Sequence, residues 1–471
     1  MKREAGVAGK FYPADKKELN DYFKSVFEEP EKKYPQIKGL LAPHAGYVFS
    51  GRTAAKAYSC LGKADFKTVI IMGTGHTMPL KKCATLKSGA FSTPYGEVEI
   101  DSVMTGKLLA SGFFEDSPLA HEREHSIEVQ LPFLQYLRGN KFKLVPVVAN
   151  SCDMESLKEA GRAAGALLRE PGTLLVISSD LSHYPPQETA LISDRALMEA
   201  YKIAVANGDL SFFYAANELL LEKFRNEMDT AACGFSPMVA GAEACLAAGC
   251  GNFSLVDYTN SGDVSGDVES VVGYAAGVFT GVGEKSGKIA LSEEERAELL
   301  SYARKSVSYY LKNGRKIPEI KSDVVNFNVP AAVFVTLTRG GELRGCIGTM
   351  SPHSLLLDAV CEYAYNAAFR DDRFEPVSPE ELGKIRVEIS ILSPLKKVGS
   401  YEEVREKIHG VYVKKGARSG TYLPQVWEHF SGKEDFLSSL CYEKAGLARD
   451  AWKEKSTELY VYSVDSLEEE P

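Results

Sequence analysis

The sequence lacks long hydrophobic runs and has no excess of basic charge. No apolar stretch in its 471 residues reaches the length of about 18 that suggests a membrane-spanning helix. The first residues, MKREAGVAGKFYPADKKEL, contain no apolar core of a secretory signal peptide. The 55 Lys and Arg are outnumbered by 64 Asp and Glu, which gives a net charge of −9. We therefore expect a cytoplasmic protein with neither a membrane nor a nucleic acid as partner.

Paired cysteines are also lacking, although nine cysteines are present. No CxxC pair occurs, which argues against a zinc ribbon. The odd number of cysteines argues against a disulfide framework. Most of them are therefore expected to be small, buried hydrophobic residues.

What is present suggests two domains. A chain of this length is expected to form two or three. The clearest boundary is a glycine-rich stretch that follows the apolar segment VVGYAAGVFTG. Directly after it, Ser292 and Glu295 have the spacing of a capping box that opens a helix. We predict a first domain at residues 1–282, a linker at 283–290 and a second domain at 291–471.

The two predicted domains differ in their hydrophobic patterns. The first contains the continuous apolar runs IKGLLA, KTVIIMG, KLVPVVA, TLLVISS and FSLVDY, with helical segments between several of them. Such runs are typical of strands covered on both faces, so we predict an α/β domain with a mainly parallel sheet. The second contains a hairpin around Gly340-Gly341, a helix near Pro352 and the alternating strand KIRVEISIL. We predict an α+β domain with a largely antiparallel sheet.

Each of three apolar runs is followed by a histidine in the loop after it. LLA leads to His44, VIIMGTG leads to His76, and LLVISS leads to Asp180-Leu-Ser-His183. The carboxyl ends of parallel strands share one edge of a sheet, where ligands bind, so these imidazoles are expected to converge. Imidazole is the commonest metal ligand near neutral pH, and two of them with a third donor make a catalytic type of site. The alternative for each histidine is an ordinary hydrogen-bonded loop residue.

A cysteine near a helix start is a candidate for the third donor. In DTAACGFSPMVAGAEACLAAG, we interpret Ser236 as the N-cap of an apolar helix with Pro237 in its first turn. Cys233 would then lie near the positive end of the helix, where a thiolate is favoured. The alternative is an inert buried thiol, which is also our interpretation of Cys245 and Cys250.

The segment HEREHSIEVQLPFL contains two further histidines. His121 and His125 are four residues apart, which on a helix would place them on one face. The HExxH motif of zinc proteases is absent. Glu128 is a candidate to orient a metal-binding histidine. The alternative, a polar helix start packed by its apolar neighbours, stays open.

These segments together resemble a known family. APHAGY, GTGH, EHSIEVQLPFL, SSDLSHY and SVVGYAAG, with a cysteine just before a helix, are similar over about residues 3–281 to the Memo family, which is related to the class III extradiol ring-cleaving dioxygenases. The resemblance implies three metal ligands: His44, His76 and Cys233. It further implies that His183 with Asp180 occupies the catalytic position and that His125 lines the pocket.

The implied metal site departs from the dioxygenase pattern. Those relatives use two histidines and a carboxylate on ferrous iron, whereas Cys233 supplies a thiolate, which prefers softer ions. We expect a divalent metal, iron in the first place, with zinc and copper as alternatives. Ring cleavage rests on analogy of fold alone.

The second domain contains the unusual segment LRGCIG. Arg344 is a candidate to bind an anion through two hydrogen bonds, and Cys346 is a candidate nucleophile. The polar loop FRDDRFEP adds Arg370, Asp371 and Arg373. The alternative interpretation is a bulged strand with a structural cysteine and a salt-bridged loop.

LRGCIGT, DDRFEPVS, VEISILSP and YLPQVW together resemble the AMMECR1 domain over about residues 291–465. The resemblance implies an α+β fold of two unequal lobes, with LRGCIG beside a cleft, and implies no reaction. The fused pair resembles a recurring pairing that accompanies a radical S-adenosylmethionine enzyme. The cluster motif CxxxCxxC is absent from this chain, so such an enzyme would be a separate protein.

We therefore predict a metal-dependent enzyme, redox or bond-cleaving, that acts on a small molecule or peptide. Two alternatives stay open. One is a non-catalytic adaptor that binds a peptide or metabolite. The other is a metal-assisted hydrolase in which a zinc-bound water is the nucleophile.

Overall fold

The computed structural model describes residues 2–150, 152–281 and 287–469. The chain divides into two compact units, Met1–Leu210 with Leu220–Lys285, and Ser211–Leu219 with Ser286–Pro471. Part of the predicted linker, 283–286, lies outside the described residues, and the limits of the two domains stay predictions. None of the helices in the described part of the chain combines the length and apolar character needed to cross a bilayer.

The first unit contains eleven described strands. In chain order they are β1 (Lys2–Arg3), β2 (Ile37–Ala42), β3 (Thr68–Thr74), β4 (Cys83–Thr85), β5 (Ala90–Thr93), β6 (Gly96–Glu99), β7 (Phe114–Asp116), β8 (Lys143–Ala149), β9 (Thr173–Ser178), β10 (Asn252–Asn260) and β11 (Gly273–Thr280).

Ten described helices accompany these strands, and one of them, α8, is divided between the two units. They are α1 (Lys16–Val26), α2 (Tyr47–Ser59), α3 (Ser102–Ala110), α4 (Pro118–Glu122), α5 (Leu131–Arg138), α6 (Met154–Leu168), α7 (Gln187–Asn207), α8 (Ser211–Lys223), α9 (Phe235–Ala247) and α10 (Gly262–Ser265). Asp15, Asp101 and Asp153 begin α1, α3 and α6, because each carboxylate accepts hydrogen bonds from backbone N–H groups of the first turn.

The main sheet is mixed, with four parallel and three antiparallel pairs among its described strands. Its eight strands lie in the order β10-β11-β2-β9-β3-β8-β4-β7. The central strands β2, β9, β3 and β8 are parallel, whereas β10, β11 and β4 join it through antiparallel pairs. The strand predicted at FSLVDY is therefore an antiparallel edge strand that is only half-buried, not one covered on both faces. A second sheet has the order β1-β5-β6.

The second unit is antiparallel, as predicted. Its helices are α11 (Glu293–Asn313), α12 (Leu356–Phe369) and α13 (Lys433–Ser439). Its strands are β12 (Ala332–Arg339), β13 (Glu342–Gly348), β14 (Ile385–Leu392), β15 (Lys396–Val398), β16 (Gly410–Lys415), β17 (Arg418–Tyr422), β18 (Glu458–Tyr462) and β19 (Val464–Glu468). They form two four-stranded sheets with the orders β13-β12-β14-β19 and β15-β18-β16-β17.

Local signals in the second unit are accurate with one exception. Ser292 and Glu295 form the predicted capping box at the start of α11. Gly340 and Gly341 both have positive φ in the turn between β12 and β13, which explains the Gly-Gly pair. The helix predicted near Pro352 begins only at Leu356, so Pro352 is not in its first turn.

Candidate metal centre

The strands β2, β9 and β3 are parallel neighbours and are fully buried except for the first two residues of β2, so the loops that follow them lie at one edge of the sheet. His44 follows β2, His76 follows β3, and the segment from Asp180 to His183 follows β9. Cys233 joins them from the loop before α9, where its backbone N–H donates to the carbonyl of Leu181 at 3.3 Å. The convergence follows from the parallel centre of the sheet.

His44 is held with a defined tautomer. Its Nδ1 lies 3.2 Å from the Oγ of Ser178. That hydroxyl donates its single hydrogen to the carbonyl of Ser126 at 2.6 Å and also accepts from the side chain of Gln130 at 2.9 Å. Nδ1 of His44 must therefore be the donor, which leaves a lone pair on Nε2. Burial lowers the pKa of His44 to about 3, so the ring is neutral at pH 7.

His76 is oriented by a buried carboxylate. Its Nδ1 lies 3.0 Å from Oε1 of Glu124, and its backbone N–H donates to Oε2 at 2.8 Å. Burial alone would raise the pKa of Glu124, but the hydrogen bond from His76 and the backbone N–H groups lower it to about 2. The ionised carboxylate only accepts, so Nδ1 of His76 carries the proton and Nε2 is free. Carboxylates hold metal-binding histidines in this way.

Cys233 directly precedes Gly234, which is the N-cap of α9; the expectation that Ser236 is the N-cap is wrong. Its sulfur lies 3.2 Å from Nε2 of His76 and 3.5 Å from Nε2 of His44. Burial raises the pKa of the thiol, and the charges of Asp180 and Glu124 raise it further. Without a cation the thiol is therefore protonated. Its one hydrogen can point at only one of the two nitrogen lone pairs.

The two nitrogen–sulfur distances are compatible with a shared metal ion. An ion bonded to nitrogen at about 2.0–2.1 Å and to sulfur at about 2.3 Å, with bond angles of about 90–109°, separates the two donors by about 3.1–3.6 Å. Both nitrogen–sulfur distances fall in this range. Two imidazoles and a thiol can therefore hold one divalent ion and leave coordination positions open, as catalytic sites do.

His125 lies beside this group. The ligand atoms of His44, His76 and His125 lie within 4.8 Å of one another, so these three histidines could also hold a metal. The ring of His125 stacks on that of His76 with centroids 4.6 Å apart, and its Nδ1 lies 3.6 Å from Oε1 of Glu124. Burial and the neighbouring His44 lower the pKa of His125 to about 4, so this ring is neutral as well.

The other candidates of the HEREHSIE segment lie elsewhere. The helix α4 ends at Glu122, so His121 and His125 do not share a helix face. His121 is buried against Phe91, with ring centroids 6.3 Å apart. Glu128 is fully buried and binds Arg3 instead of orienting a histidine.

Asp180 and His183 are less directly connected than predicted. The Oδ1 of Asp180 accepts from the backbone N–H of His44 at 2.7 Å, and Oδ2 lies 3.8 Å from Nε2 of His44. Among the described residues, no hydrogen bond joins this carboxylate to the ring of His183, whose Nε2 is buried without a partner. Burial raises the pKa of Asp180 and lowers that of His183. Asp180 thus holds the His44 loop rather than His183.

Sequence reasoning missed Glu124, Ser178 and Gln130, which determine how the ligands are oriented. Glu124 directly precedes His125 in the segment EREHS, and Ser178 is the last residue of β9. Their positions beside predicted site residues were the only signal available, because serine, glutamine and glutamate are common in loops and at strand ends.

In the second unit the predicted anion-binding arginine already pairs with a carboxylate, although its buried Nη1 has no partner among the described residues. Arg344 donates to both carboxylate oxygens of Glu381 at 3.0 Å, and Arg339 binds the same carboxylate at 2.8 Å. Arg370 lies apart from this group and donates to the hydroxyl of Tyr365 at 3.3 Å. Neither arginine is directed at Cys346.

Cys346, Asp371 and Arg373 lie together because they form hydrogen bonds with one another. The backbone N–H of Cys346 donates to Oδ2 of Asp371 at 2.8 Å, and Arg373 donates to the same carboxylate at 2.7 Å and to the carbonyl of Cys346 at 3.0 Å. The hydrogen bond from Arg373 keeps the pKa of Asp371 well below its usual range. With a register shift between β12 and β13, this geometry favours the bulged strand and salt-bridged loop.

The first unit is thus a mixed α/β domain that collects imidazoles and a thiol at one edge of its sheet. Comparison with known families identifies the family to which it belongs. The family described as Memo-like protein matches residues 3–278, and the AMMECR1 family matches residues 300–467. The chain belongs to the Memo family and carries an AMMECR1 domain in addition.

Individual relatives agree with this assignment. A MEMO1 family protein of Aquifex aeolicus is 39% identical over 279 residues, which cover 59% of this chain and 98% of the relative. One of Methanococcoides burtonii is 40% identical over 276 residues, which cover 58% and 98%. A crystal structure of an uncharacterized protein from Pyrococcus horikoshii covers 38% of this chain and 94% of its own, with 35% identity and a TM-score of 0.36.

Proposed function

We propose that the first domain is a divalent-metal-dependent enzyme, redox or bond-cleaving, in which His44, His76 and Cys233 hold the metal. One observation carries the proposal: the sulfur of Cys233 lies 3.2 and 3.5 Å from two imidazole nitrogens whose lone pairs are free. Three electron-pair donors thus meet with a single proton among them. A divalent cation would be held by all three donors, and the thiol proton would then be released to solvent.

The residues around the metal have distinct tasks. Ser178 and Glu124 keep the Nδ1 protons of the two histidines in place, so that the Nε2 lone pairs face the sulfur. His183 is a neutral imidazole with a buried, unpartnered Nε2, so it can accept a proton from a substrate or return one. The bound metal would supply Lewis acidity and, with iron, electron transfer. His125 lines the same space.

Iron is the proposed metal, with zinc and copper as alternatives, because a site of two imidazoles and a thiolate accepts all three. The test is metal analysis of protein purified without oxygen, comparing the parent with His44→Ala and Cys233→Ala. We expect both variants to lose the metal. The matched control is Cys346→Ala, which removes a thiol from the other domain. If both site variants retain as much metal as the parent, the assignment is wrong.

The metal analysis also separates the alternative functions. Stoichiometric zinc with activity retained under strict anaerobiosis would favour a hydrolase. Saturable binding of a peptide or metabolite that is unaffected by metal removal, with no turnover, would favour an adaptor. Incubation with candidate small molecules followed by mass spectrometry distinguishes turnover from binding.

We further propose that the protein works in the cytoplasm beside a separate radical S-adenosylmethionine enzyme. The support is the fusion of a Memo domain with an AMMECR1 domain in one chain. The two proteins would be mixed with candidate metabolites, and new masses that require both proteins are expected. Products that form equally well without the second protein would overturn the pairing.

A further inference from the structure

We infer that Arg3, together with Glu128, is a positioning residue for the metal centre: it holds the segment from His121 to Glu128 in the conformation that presents Glu124 and His125. This inference rests on the proposed metal site. Arg3 itself lies outside that site, since it contacts none of the donor atoms. The N-terminal segment therefore helps to orient the metal ligands.

Arg3 is buried and uses its guanidinium in three directions. Nε donates to the carbonyl of His121 at 2.6 Å, Nη2 donates to the carbonyl of Glu124 at 2.5 Å, and Nη1 donates to Oε2 of Glu128 at 2.6 Å. The guanidinium also lies 5.1 Å from the ring centre of Phe91. A planar fork with fixed donor directions makes these bonds at once, which a lysine ammonium at the end of a flexible chain cannot do.

Glu128 joins the same segment to the N-terminal residues. Its Oε2 accepts from the backbone N–H of Gly6 at 3.0 Å, in addition to Arg3. Its Oε1 accepts from the backbone N–H of Val7 at 3.0 Å and from the hydroxyl of Tyr12 at 2.8 Å. The carboxylate is fully buried and fully hydrogen-bonded, so it has no freedom to serve any other group.

These contacts reach the metal site through two short connections. The carbonyl that Arg3 binds belongs to Glu124 itself, whose carboxylate orients His76. The ring of Phe11, in the N-terminal segment, packs on the ring of His125 with centroids 4.8 Å apart. The carbonyl of Phe11 accepts from the backbone N–H of Tyr47, three residues after His44. Arg3, Glu128 and the N-terminal segment thus contact the segments that carry His44 and His125, and through Glu124 they reach His76.

The test measures Co²⁺ binding to the full-length, metal-free protein by titration, with the thiolate-to-cobalt absorption band as a signature of the site. Three variants are compared: Arg3→Lys, Arg3→Met, and Arg3→Met combined with Glu128→Met. Arg3→Met and the double variant lose both carbonyl contacts, and Arg3→Lys cannot make both of them together with the bond to Glu128. The double variant also removes both buried charges, and replacing a buried ion pair by apolar side chains often restores stability.

For a positioning role, all three variants bind Co²⁺ about 10–100-fold more weakly than the parent, with a changed absorption band, as expected when outer contacts of a ligand are lost. The double variant remains weak even where its thermal denaturation matches the parent. The matched control is Arg162→Met, which removes an α6 arginine that pairs with Glu155 and Glu159 of the same helix and with Glu243 of α9. It should bind as the parent does.

Two results would overturn the inference, and they are distinguishable from each other. If Arg3→Lys or the double variant binds Co²⁺ with parental affinity and an unchanged band, Arg3 is only structural. If the parent itself shows no thiolate band, the metal site fails and the positioning role fails with it.

Discussion

The metal centre of the first unit and the LRGCIG segment of the second contain similar residue types, yet they differ in what their polar groups already do. In the first, the sulfur of Cys233 faces two imidazole nitrogens with free lone pairs. In the second, the charges are paired with each other: Arg344 with Glu381 and Arg373 with Asp371. Reactive residue types therefore indicate a metal site only where electron-pair donors remain without partners. In the second region the buried group without a partner among the described residues is Nη1 of Arg344, which cannot bind a cation.

Burial acts differently in the two regions. At the metal centre it lowers the pKa of His44 to about 3 and raises that of the Cys233 thiol, so burial disfavours the thiolate until a cation is present. In the LRGCIG region, hydrogen bonds from Arg344 lower the pKa of Glu381 to about 2, so the carboxylate is charged and paired without a ligand. The donors of the first region therefore lack a cation to bind, whereas the ion pairs of the second region stabilise the fold.

The largest expected effect is on the stability of the second region. Gly345→Ala should destabilise the protein by about 3 kcal/mol, because the added Cβ would lie 2.1 Å from the carbonyl oxygen of Ala367 and overpack the contact. Gly383→Ala is the matched control, since nothing lies within 4 Å of its Cβ position. Denaturant unfolding followed by circular dichroism checks both. A fully stable Gly345→Ala protein would contradict the structural interpretation of LRGCIG.

The next effect concerns the metal centre. Glu124→Gln should weaken metal affinity about 10–100-fold, because the neutral amide no longer fixes the Nδ1 proton of His76. Metal competition with a chromophoric chelator measures this. Glu381→Gln, which breaks a carboxylate–arginine pair in the other region, should leave the affinity unchanged. Equal losses in both variants would mean that a general loss of stability, not ligand orientation, is being measured.

One buried carboxyl group in the first unit and one ion-paired carboxylate in the second should contribute to stability with opposite dependence on pH. Burial raises the pKa of Asp194 to about 7, so between about pH 4 and pH 7 the folded state keeps a proton that the unfolded chain has released. Its contribution to stability therefore falls as pH rises, by up to about 1.4 kcal/mol per pH unit. Relative to Asp194→Asn, the free energy of unfolding of the parent in urea should fall with this slope from pH 4.5 through 5.5 to 6.5.

Glu381 provides the contrast. Its pKa is lowered to about 2, so its contribution is present above the unfolded value of about 4.3 and is lost as pH falls toward 2. Glu381→Gln should therefore differ most from the parent above pH 5, and the two should approach each other near pH 3. A parallel pH profile for Asp194→Asn and Glu381→Gln would contradict the opposite signs.

The smallest expected effect is at Arg370. Its side chain is exposed and donates to Tyr365 at 3.3 Å, so Arg370→Ala should leave metal content and the thermal midpoint unchanged. Differential scanning calorimetry checks the midpoint. A clear loss of activity without a loss of stability would instead indicate a site in the second domain.

Much of the fold was predictable from local patterns. The buried runs IKGLLA, KTVIIMG, KLVPVVA and TLLVISS became β2, β3, β8 and β9, and the capping box at Ser292 begins α11. The edge strand β10 was predicted as a buried strand because its apolar residues do not reveal which neighbour it pairs with, or in which direction. Likewise, His121 was grouped with His125 on helical spacing, although α4 ends between them.

The amino-acid sequence by itself determined that histidines follow buried strands and that a cysteine precedes an apolar helix, because these are features of neighbouring residues. Only the tertiary structure decided which groups orient them. Glu124 reaches His76 across 48 positions and Ser178 reaches His44 across 134. The tertiary structure also decided that Arg344 forms an ion pair with Glu381. Whether a polar group retains a free lone pair depends on every partner that folding brings to it, and those partners are distant in the chain.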